Sequence, residues 1–297
     1  MKKAKLIDTM RDFIMYWKNY SEKSGEEMFH GWLTEYIMNY PEILIVEATY
    51  RKSLDNLKNM MVEGILSKIN DLIHGIIEGW MTFLENFEDV YSLAVEEFQE
   101  NLEPIFAIYV GSGWRPRWTS MILDKPALII DLGSVAELKL TGRSEMRGLL
   151  AFNLGHLYHM WKRDELNRLK ESREDPFFRL YAEGFAQLSE HLILKRESWH
   201  MVRSEGWLKA CEEREGMLAE EYLRSAEAGD VEAFYDPWLD VGGLRLAGKY
   251  LGYRFVESLR EEGLTLEEVA GFSESDVLKL SRAFLEELAE NHRSNQL

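Results

Sequence analysis

The fold of this chain is decided by one apolar, histidine-containing stretch in its middle: Gly148-Leu149-Leu150-Ala151-Phe152-Asn153-Leu154-Gly155-His156-Leu157-Tyr158-His159. The pattern around it predicts a helix from about Ser144 to Arg163. On that helix Phe152, His156 and His159 fall within about 60° of one another, because each residue turns the chain by about 100°. Phe152 and His156 therefore occupy the i and i+4 positions of a helical metal-binding pair, with His159 one turn beyond.

Two positions that this pattern needs for zinc chemistry carry the wrong residue type. In an intact His-Glu-x-x-His helix, the two histidines fix the metal and the glutamate holds the metal-bound water as general base. Phe152 cannot bind a metal, and Asn153 has no titratable proton with which to act as a base near neutral pH. The stretch therefore resembles the motif helix of a zinc hydrolase, but it lacks the first histidine and the glutamate on which zinc hydrolysis depends.

A second chemical signal lies on the next predicted helix, in Leu180-Tyr181-Ala182-Glu183-Gly184-Phe185-Ala186-Gln187. Gly184 allows another backbone to approach closely, and a buried carboxylate beside it needs a partner or a metal. Taken alone, Glu183 is best interpreted as the ion-pair partner of an arginine such as Arg179 or Arg254.

The rest of the sequence predicts an α+β, predominantly helical fold. Three short runs, the first and third apolar and bounded by proline and glycine, predict a small sheet before the motif helix, within residues 104–140. The predicted strands cover 105–110, 118–123 and 127–132. After the motif helix, one helix is predicted to start at Asp175-Pro176. Further helices are predicted at about 206–228, 239–262 and 274–291. We expect a helical N-terminal region, residues 1–102, followed by a second domain, residues 103–297.

Taken together, these segments resemble a zincin-like, gluzincin-type metallopeptidase. The chain is most similar to an uncharacterised family of predicted zinc-dependent proteases, over roughly residues 100–285. In that family short strands precede a His-Glu-x-x-His helix, and a Glu-Gly-x-Ala helix, a Gly-Tyr segment and a small helical tail follow. The matching pieces are Ile105 to Leu132, Phe152 to His156, Glu183-Gly184-Phe185-Ala186, Gly252-Tyr253-Arg254-Phe255-Val256-Glu257, and Leu266 to Ser281.

The resemblance implies a role for each matching position. The implied site consists of His156 as second zinc ligand, Glu183 as third ligand, Phe152 in place of the first ligand and Asn153 in place of the general base. It further implies that the strand from Ala127 to Leu132 would pair with a substrate. Tyr250 or Tyr253 would stabilise an oxyanion, and the sequence does not choose between them.

Three functions follow from these observations. The first is a degenerate zinc-metallopeptidase homologue, a catalytically inactive pseudo-enzyme with no cofactor that acts in binding or structure, since zinc sites usually have at least three protein ligands. The second is a metal-dependent hydrolase or peptidase with a rearranged site. It would hold zinc or another divalent metal through His156, His159 and Glu183, with Glu190 as an extra carboxylate or base.

The third is an acidic helical interaction module unrelated to zincins. Trp114 and Trp118, which flank Arg115-Pro116-Arg117, would then line a groove for a partner. Aromatic side chains at helical spacing are more commonly core residues, so the sequence assigns them no binding role.

The composition of the chain limits the kinds of binding partner and the cellular compartment that we expect. The 297 residues carry a net charge of −17, which argues against nucleic-acid and anionic-membrane surfaces and leaves an unknown peptide or protein as the expected partner. No apolar run approaches the roughly 18 residues of a membrane span, and the basic N-terminus lacks the apolar stretch of a signal peptide. The single cysteine, Cys211, excludes an intrachain disulfide, so we expect a cytoplasmic protein.

Overall fold

A computed structural model describes residues 4–51, 53–113, 117–165, 175–202 and 204–294, and only the backbone of residues 50, 117 and 118. The aromatic segment proposed as a partner groove, Trp114 to Trp118, lies outside the described side chains. The chain divides into two compact units, Met1–Asn153 and Leu154–Leu297. The domain boundary expected after residue 102 stays a prediction.

The chain is mainly helical, as predicted. The α-helices are α1 (Met10–Tyr20), α2 (Gly25–Gly31), α3 (Pro41–Arg51), α4 (Leu54–Glu63), α5 (Ile69–Phe98), α6 (Leu132–Glu137), α7 (Arg143–Lys162), α8 (Pro176–Leu194), α9 (Trp207–Glu213), α10 (Glu215–Glu227), α11 (Ala247–Glu261), α12 (Leu266–Ala270) and α13 (Glu274–Ser294). A π-helical turn, Trp32–Tyr36, follows α2. The division between the two units falls inside α7.

The first unit contains a four-stranded sheet in the order β1-β2-β4-β3. Its strands are β1 (Lys5–Asp8), β2 (Ile105–Tyr109), β3 (Arg117–Ile122) and β4 (Lys125–Asp131). Strands β1, β2 and β4 run parallel, and β3 pairs antiparallel with β4. The three strands predicted from apolar runs are confirmed. The expectation that the whole sheet lies within residues 104–140 is wrong, because β1 adds a fourth strand from the N-terminus.

Buried apolar side chains explain the centre of the sheet. All five residues of β2 are buried, and so are the last five of β4, because both faces of these strands are covered. A two-residue turn, Leu123-Asp124, connects β3 to β4 with both residues at positive φ, the backbone that a tight hairpin turn requires. The carboxyl end of β4 leads directly into α6, whose N-cap is Asp131.

The second unit is built mainly from helices around a core that includes Leu180, Tyr222 and Tyr250. The α8 helix begins as predicted, since the Asp175 side chain accepts hydrogen bonds from two backbone N–H groups in the first turn. Two predicted helices differ from the structure. The helix expected at 206–228 is broken at Arg214 into α9 and α10, and the one expected from 239 starts only at Ala247, because Gly242, Gly243 and Leu246 have positive φ.

Candidate functional site

Two of the residues predicted as metal ligands lie next to each other in the second unit. His156 on α7 and Glu183 on α8 approach within 3.5 Å, measured from Nε2 to Oε1. Two ligands at zinc distances of about 2.0–2.2 Å and tetrahedral angles are themselves about 3.4 Å apart. The His156 side chain is 8% exposed and the Glu183 side chain is 18% exposed, so the pair is largely shielded from water.

Small residues bring the helices of this pair together. A Cβ atom on Gly155 would lie 2.5 Å from the Cβ of Ser189. The backbone of α7 beside His156 therefore packs directly against the Ser189 side chain of α8. Directly after Glu183, Gly184 packs against the backbone of Gly252 on α11. The Glu-Gly and Gly-Tyr pieces of the sequence are therefore the two sides of one helix crossing.

The two altered motif positions, Phe152 and Asn153, lie on the part of α7 that belongs to the first unit. Phe152 is fully buried. Asn153 is also fully buried, and its Nδ2 donates to the carbonyl oxygen of Leu149, 2.5 Å away on the same helix. The Oδ1 of Asn153 is buried and accepts no hydrogen bond from the described residues. Both side chains serve packing, and neither offers a metal ligand or a base.

At the matched positions, fewer donor side chains remain than a zinc site usually uses. Only His156 and Glu183 keep ligating side chains at the matched positions, whereas three protein ligands are the usual minimum. Within the ranges that the structure describes, no three His, Cys, Asp or Glu side chains are grouped closely enough to hold a metal ion.

His159, the replacement ligand of the rearranged site, lies in an aromatic environment. It is 1% exposed, and its ring centroid lies 4.8 Å from that of Tyr181 and 4.9 Å from that of Phe185. The Tyr181 ring meets it edge to face. Such packing is typical of a core histidine.

The two tyrosines considered for oxyanion binding are both bonded to carboxylates. The hydroxyl of Tyr250 donates to Glu215 at 2.9 Å, and that of Tyr253 donates to Glu257. Burial, followed by these neighbouring carboxylates, raises the pKa of both tyrosines well above the ordinary value. Each hydroxyl is therefore a neutral donor that already has an acceptor.

The arginines expected near Glu183 also have partners. Arg254 bonds to Glu215 and Glu257, each at 2.9 Å, and Arg179 bonds to Glu232 at 2.7 Å. Burial by itself would lower the pKa of Arg179, but the Glu232 bond and nearby charges, including that of Glu183, raise it. Glu183 thus contributes to the field at Arg179 while lying against His156.

Sequence reasoning missed the bonding of Glu190, which it assigned to the metal site. Glu190 is fully buried and accepts four hydrogen bonds: from Ser198 Oγ at 2.6 Å, His200 Nδ1 at 2.7 Å, His200 N at 3.1 Å and Gln187 Nε2 at 3.1 Å. Burial by itself would raise the pKa of Glu190, but His200, Ser198 and Lys249 outweigh it and lower the pKa. Gln187 lies one turn before Glu190 on α8, but no sequence spacing links Ser198 and His200 to Glu190, because they meet it only after the chain turns back beyond α8.

A second buried carboxylate, Asp131, lies in the first unit at the carboxyl end of β4. It accepts hydrogen bonds from the backbone N–H groups of Gly111, Gly113 and Gly133, at 2.9–3.0 Å, and so holds the loop that follows β2. Burial, with the nearby charge of Glu47, raises the pKa of Asp131 to about 6. The Asp131 side chain therefore holds the loop Gly111-Ser112-Gly113 in place.

Comparisons with protein families, with curated proteins and with solved structures found no match to this chain. Among the helices of the described residues, none has the length and apolar character needed to cross a lipid bilayer.

Proposed function

We propose that this protein is a degenerate homologue of zinc metallopeptidases that has lost metal-dependent catalysis and acts by binding a peptide or protein, or as a structural component. The observation that carries the proposal is the pair His156–Glu183, whose side chains approach to 3.5 Å. A Glu from one helix beside a His from the preceding helix is the arrangement that the zincin resemblance requires of its second and third ligands.

Catalysis is lost at the other two motif positions. Phe152 fills the place of the first ligand with a fully buried ring, and Asn153 binds its own helix backbone. A site with two protein ligands holds zinc weakly, and without a base the bound water is not activated. Removal of both functions leaves a protein in which the helix pair persists as a scaffold.

The test is elemental analysis of the purified full chain, prepared without chelators or a histidine tag and incubated with zinc or manganese. After removal of free ions we expect well below one metal per chain. The matched variants are Glu183→Ala and His159→Ala, with His30→Ala as the control because His30 is exposed and lies in the first unit. These three variants should be indistinguishable from the native protein.

The opposite result would favour the rearranged hydrolase. One metal per chain, lost in Glu183→Ala and His159→Ala but kept in His30→Ala, would overturn the pseudo-enzyme proposal and justify a peptidase screen. A cytoplasmic location is part of the proposal, and it rests on the single, buried Cys211.

A further inference from the structure

The segment that follows α8, residues 195–202, turns back along the helix it has just left. We refer to it as the strap. Lys195 ends α8 in the left-handed conformation, with φ 52°, and reverses the chain direction. The strap then bonds to α8 through polar groups: Ser198 Oγ and His200 donate to Glu190, and Gln187 Nε2 donates to the carbonyl oxygen of Ser198 at 2.7 Å.

One carboxylate organises most of this attachment. Both oxygens of Glu190 are used, Oε1 by Ser198 Oγ and the His200 backbone N–H, and Oε2 by His200 Nδ1 and Gln187. Three of its four hydrogen bonds therefore come from the strap. Hydrogen bonds to a charged group are stronger than those between neutral groups, and more so away from water. If Glu190 is removed as acceptor, all of these donors lose their partner at once.

An aromatic contact holds the strap at its middle. The Trp199 ring packs edge to face on His191 at 5.0 Å and on Tyr253 at 5.4 Å, and it meets Trp207 at 5.0 Å between centroids. These contacts join the strap to α8, α11 and α9. Release of the strap would therefore expose an indole ring that now lies against three helices.

The charged groups around Glu190 come from each element packed against it. His200 belongs to the strap, Lys249 to α11 and His191 to α8 itself, while Glu197 and Glu257 act on His191. Burial, only partly offset by Glu190 and other acceptors, lowers the pKa of His191, so this ring is mostly neutral near pH 7. The positive charge facing Glu190 is supplied by Lys249 and by His200 when protonated.

We propose that the strap is an acid-released element, which the ionised Glu190 side chain holds against α8 and which detaches as a unit when that carboxylate is neutralised. This inference does not depend on the His156–Glu183 pair, because Glu190, the extra carboxylate of the rearranged site, is bonded to Ser198, His200 and Gln187 instead. Release is expected only on acidification and not at higher pH. A neutral His200 that keeps its proton on Nδ1 still donates to Glu190, so the attachment survives at neutral and alkaline pH.

The direction of the pH response follows from the lowered pKa of Glu190. A carboxylate with a lowered pKa in the folded state contributes stability that is present above its unfolded value, about 4.3, and is lost as the pH falls through the folded value. We therefore expect the strap to stay closed at pH 5 and above and to open in more acidic solution.

The experiment is hydrogen exchange with mass spectrometry on the full chain, following peptides that cover residues 195–202. Glu190→Gln mimics the neutral carboxyl at pH 7. Glu205→Gln is the control, because Glu205 is an exposed glutamate close to the strap in sequence. We expect strap amides to exchange at least tenfold faster in Glu190→Gln than in the native protein. Peptides of α13 should be unchanged, and Glu205→Gln should behave as native.

The proposal would be overturned if strap amides exchanged no faster in Glu190→Gln, or equally faster in Glu205→Gln. It would also be overturned if exchange rose evenly over the second unit, because Glu190 would then stabilise the core in general and not the strap. If Glu190→Gln does not fold, Ser198→Ala removes a single donor from the strap side. It should still accelerate strap exchange about threefold or more without changing α13. In the native protein, strap exchange corrected for intrinsic rates should rise as the pH is lowered below 4.

Discussion

Gly184 on α8 and Gly252 on α11 touch through their backbones: a Cβ atom on Gly184 would stand 2.0 Å from the carbonyl oxygen of Gly252. The contact is reciprocal, because a Cβ on Gly252 would lie 2.3 Å from the carbonyl oxygen of Leu180. No side chain could be accommodated by rotation, since the opposing atoms belong to the backbone. This crossing fixes the position of Glu183, the residue immediately before it.

The first prediction concerns this crossing. Gly184→Ala should destabilise the second unit by about 3 kcal/mol or more, because overpacking against backbone forces the helices apart. Gly271→Ala is the control, since its added Cβ would meet only ordinary contacts at 3.5 Å and the residue has a negative φ. It should change stability by less than about 1 kcal/mol. Urea unfolding monitored by circular dichroism measures both, and equal effects would contradict the close crossing.

The second prediction restores the lost motif. Phe152→His together with Asn153→Glu should create zinc binding that also requires His156 and Glu183. The double variant should be less stable than the native protein without metal, by about 3 kcal/mol or more, because a fully buried ring is lost. Zinc should then raise its melting temperature, since a ligand that binds only the folded state stabilises it.

The control for the restored motif is the same double variant carrying Glu183→Ala. It should show no zinc-dependent shift in melting temperature. A double variant that folds and takes up no zinc would show that the zincin alignment is wrong.

The third prediction tests Asn153 by itself. Its buried Oδ1 has no hydrogen-bond partner among the described residues, so Asn153→Leu should be neutral or stabilising by up to about 1 kcal/mol. Asn153→Asp should cost about 3–5 kcal/mol at pH 7, because it places an uncompensated charge in a fully buried position. That cost should shrink as the solution is acidified and the carboxyl becomes neutral. Denaturant unfolding at pH 4 and pH 7 checks both variants, and a well-tolerated Asp would indicate a solvated site.

The fourth prediction concerns Asp131, whose pKa is raised to about 6. A carboxyl with a raised pKa favours the folded state in its protonated form, so its contribution is present below the unfolded value and is lost as the pH rises through 6. We expect this group to remove up to about 3 kcal/mol of stability between pH 4 and pH 7.

Glu47→Gln should reduce that loss, because the charge of Glu47 is the second cause of the shift after burial. The variant's stability difference between pH 4 and pH 7 should be smaller than the native one by at least about 1 kcal/mol. Glu63→Gln, at an exposed position, is the control. Identical pH profiles for Glu47→Gln and the native protein would contradict the assignment.

Local chemistry made much of the fold predictable from the sequence. Asp175 followed by Pro176 marks the start of α8, and the Asp175 side chain does cap the helix by accepting from Phe177 and Phe178. The strands β2 and β4 follow from short apolar runs between proline and glycine. In both cases the deciding residues are adjacent in the chain, so that their pattern is visible without tertiary contacts.

The features that the sequence did not predict depend on contacts between distant residues. Strand β1 is only four residues long and has a charged residue at each end, so its pattern is weak, and it is ordered by pairing with Ile105 to Ile108. The bonding of Glu190 is equally invisible, because its partners lie on a loop that folds back over the helix. The nearness of His156 and Glu183 was implied by resemblance alone, since nothing in their spacing of 27 positions requires it.

The position of β1 also constrains how the chain is made. The first strand has a parallel partner whose first residue is Ile105, and Thr9, just beyond it, bonds to the carbonyl oxygen of Ile108. During synthesis from the N-terminus, about a hundred residues must leave the ribosome before this strand can find its place. The first strand therefore forms late, and a fragment that stops before Pro104 lacks the strand with which β1 pairs.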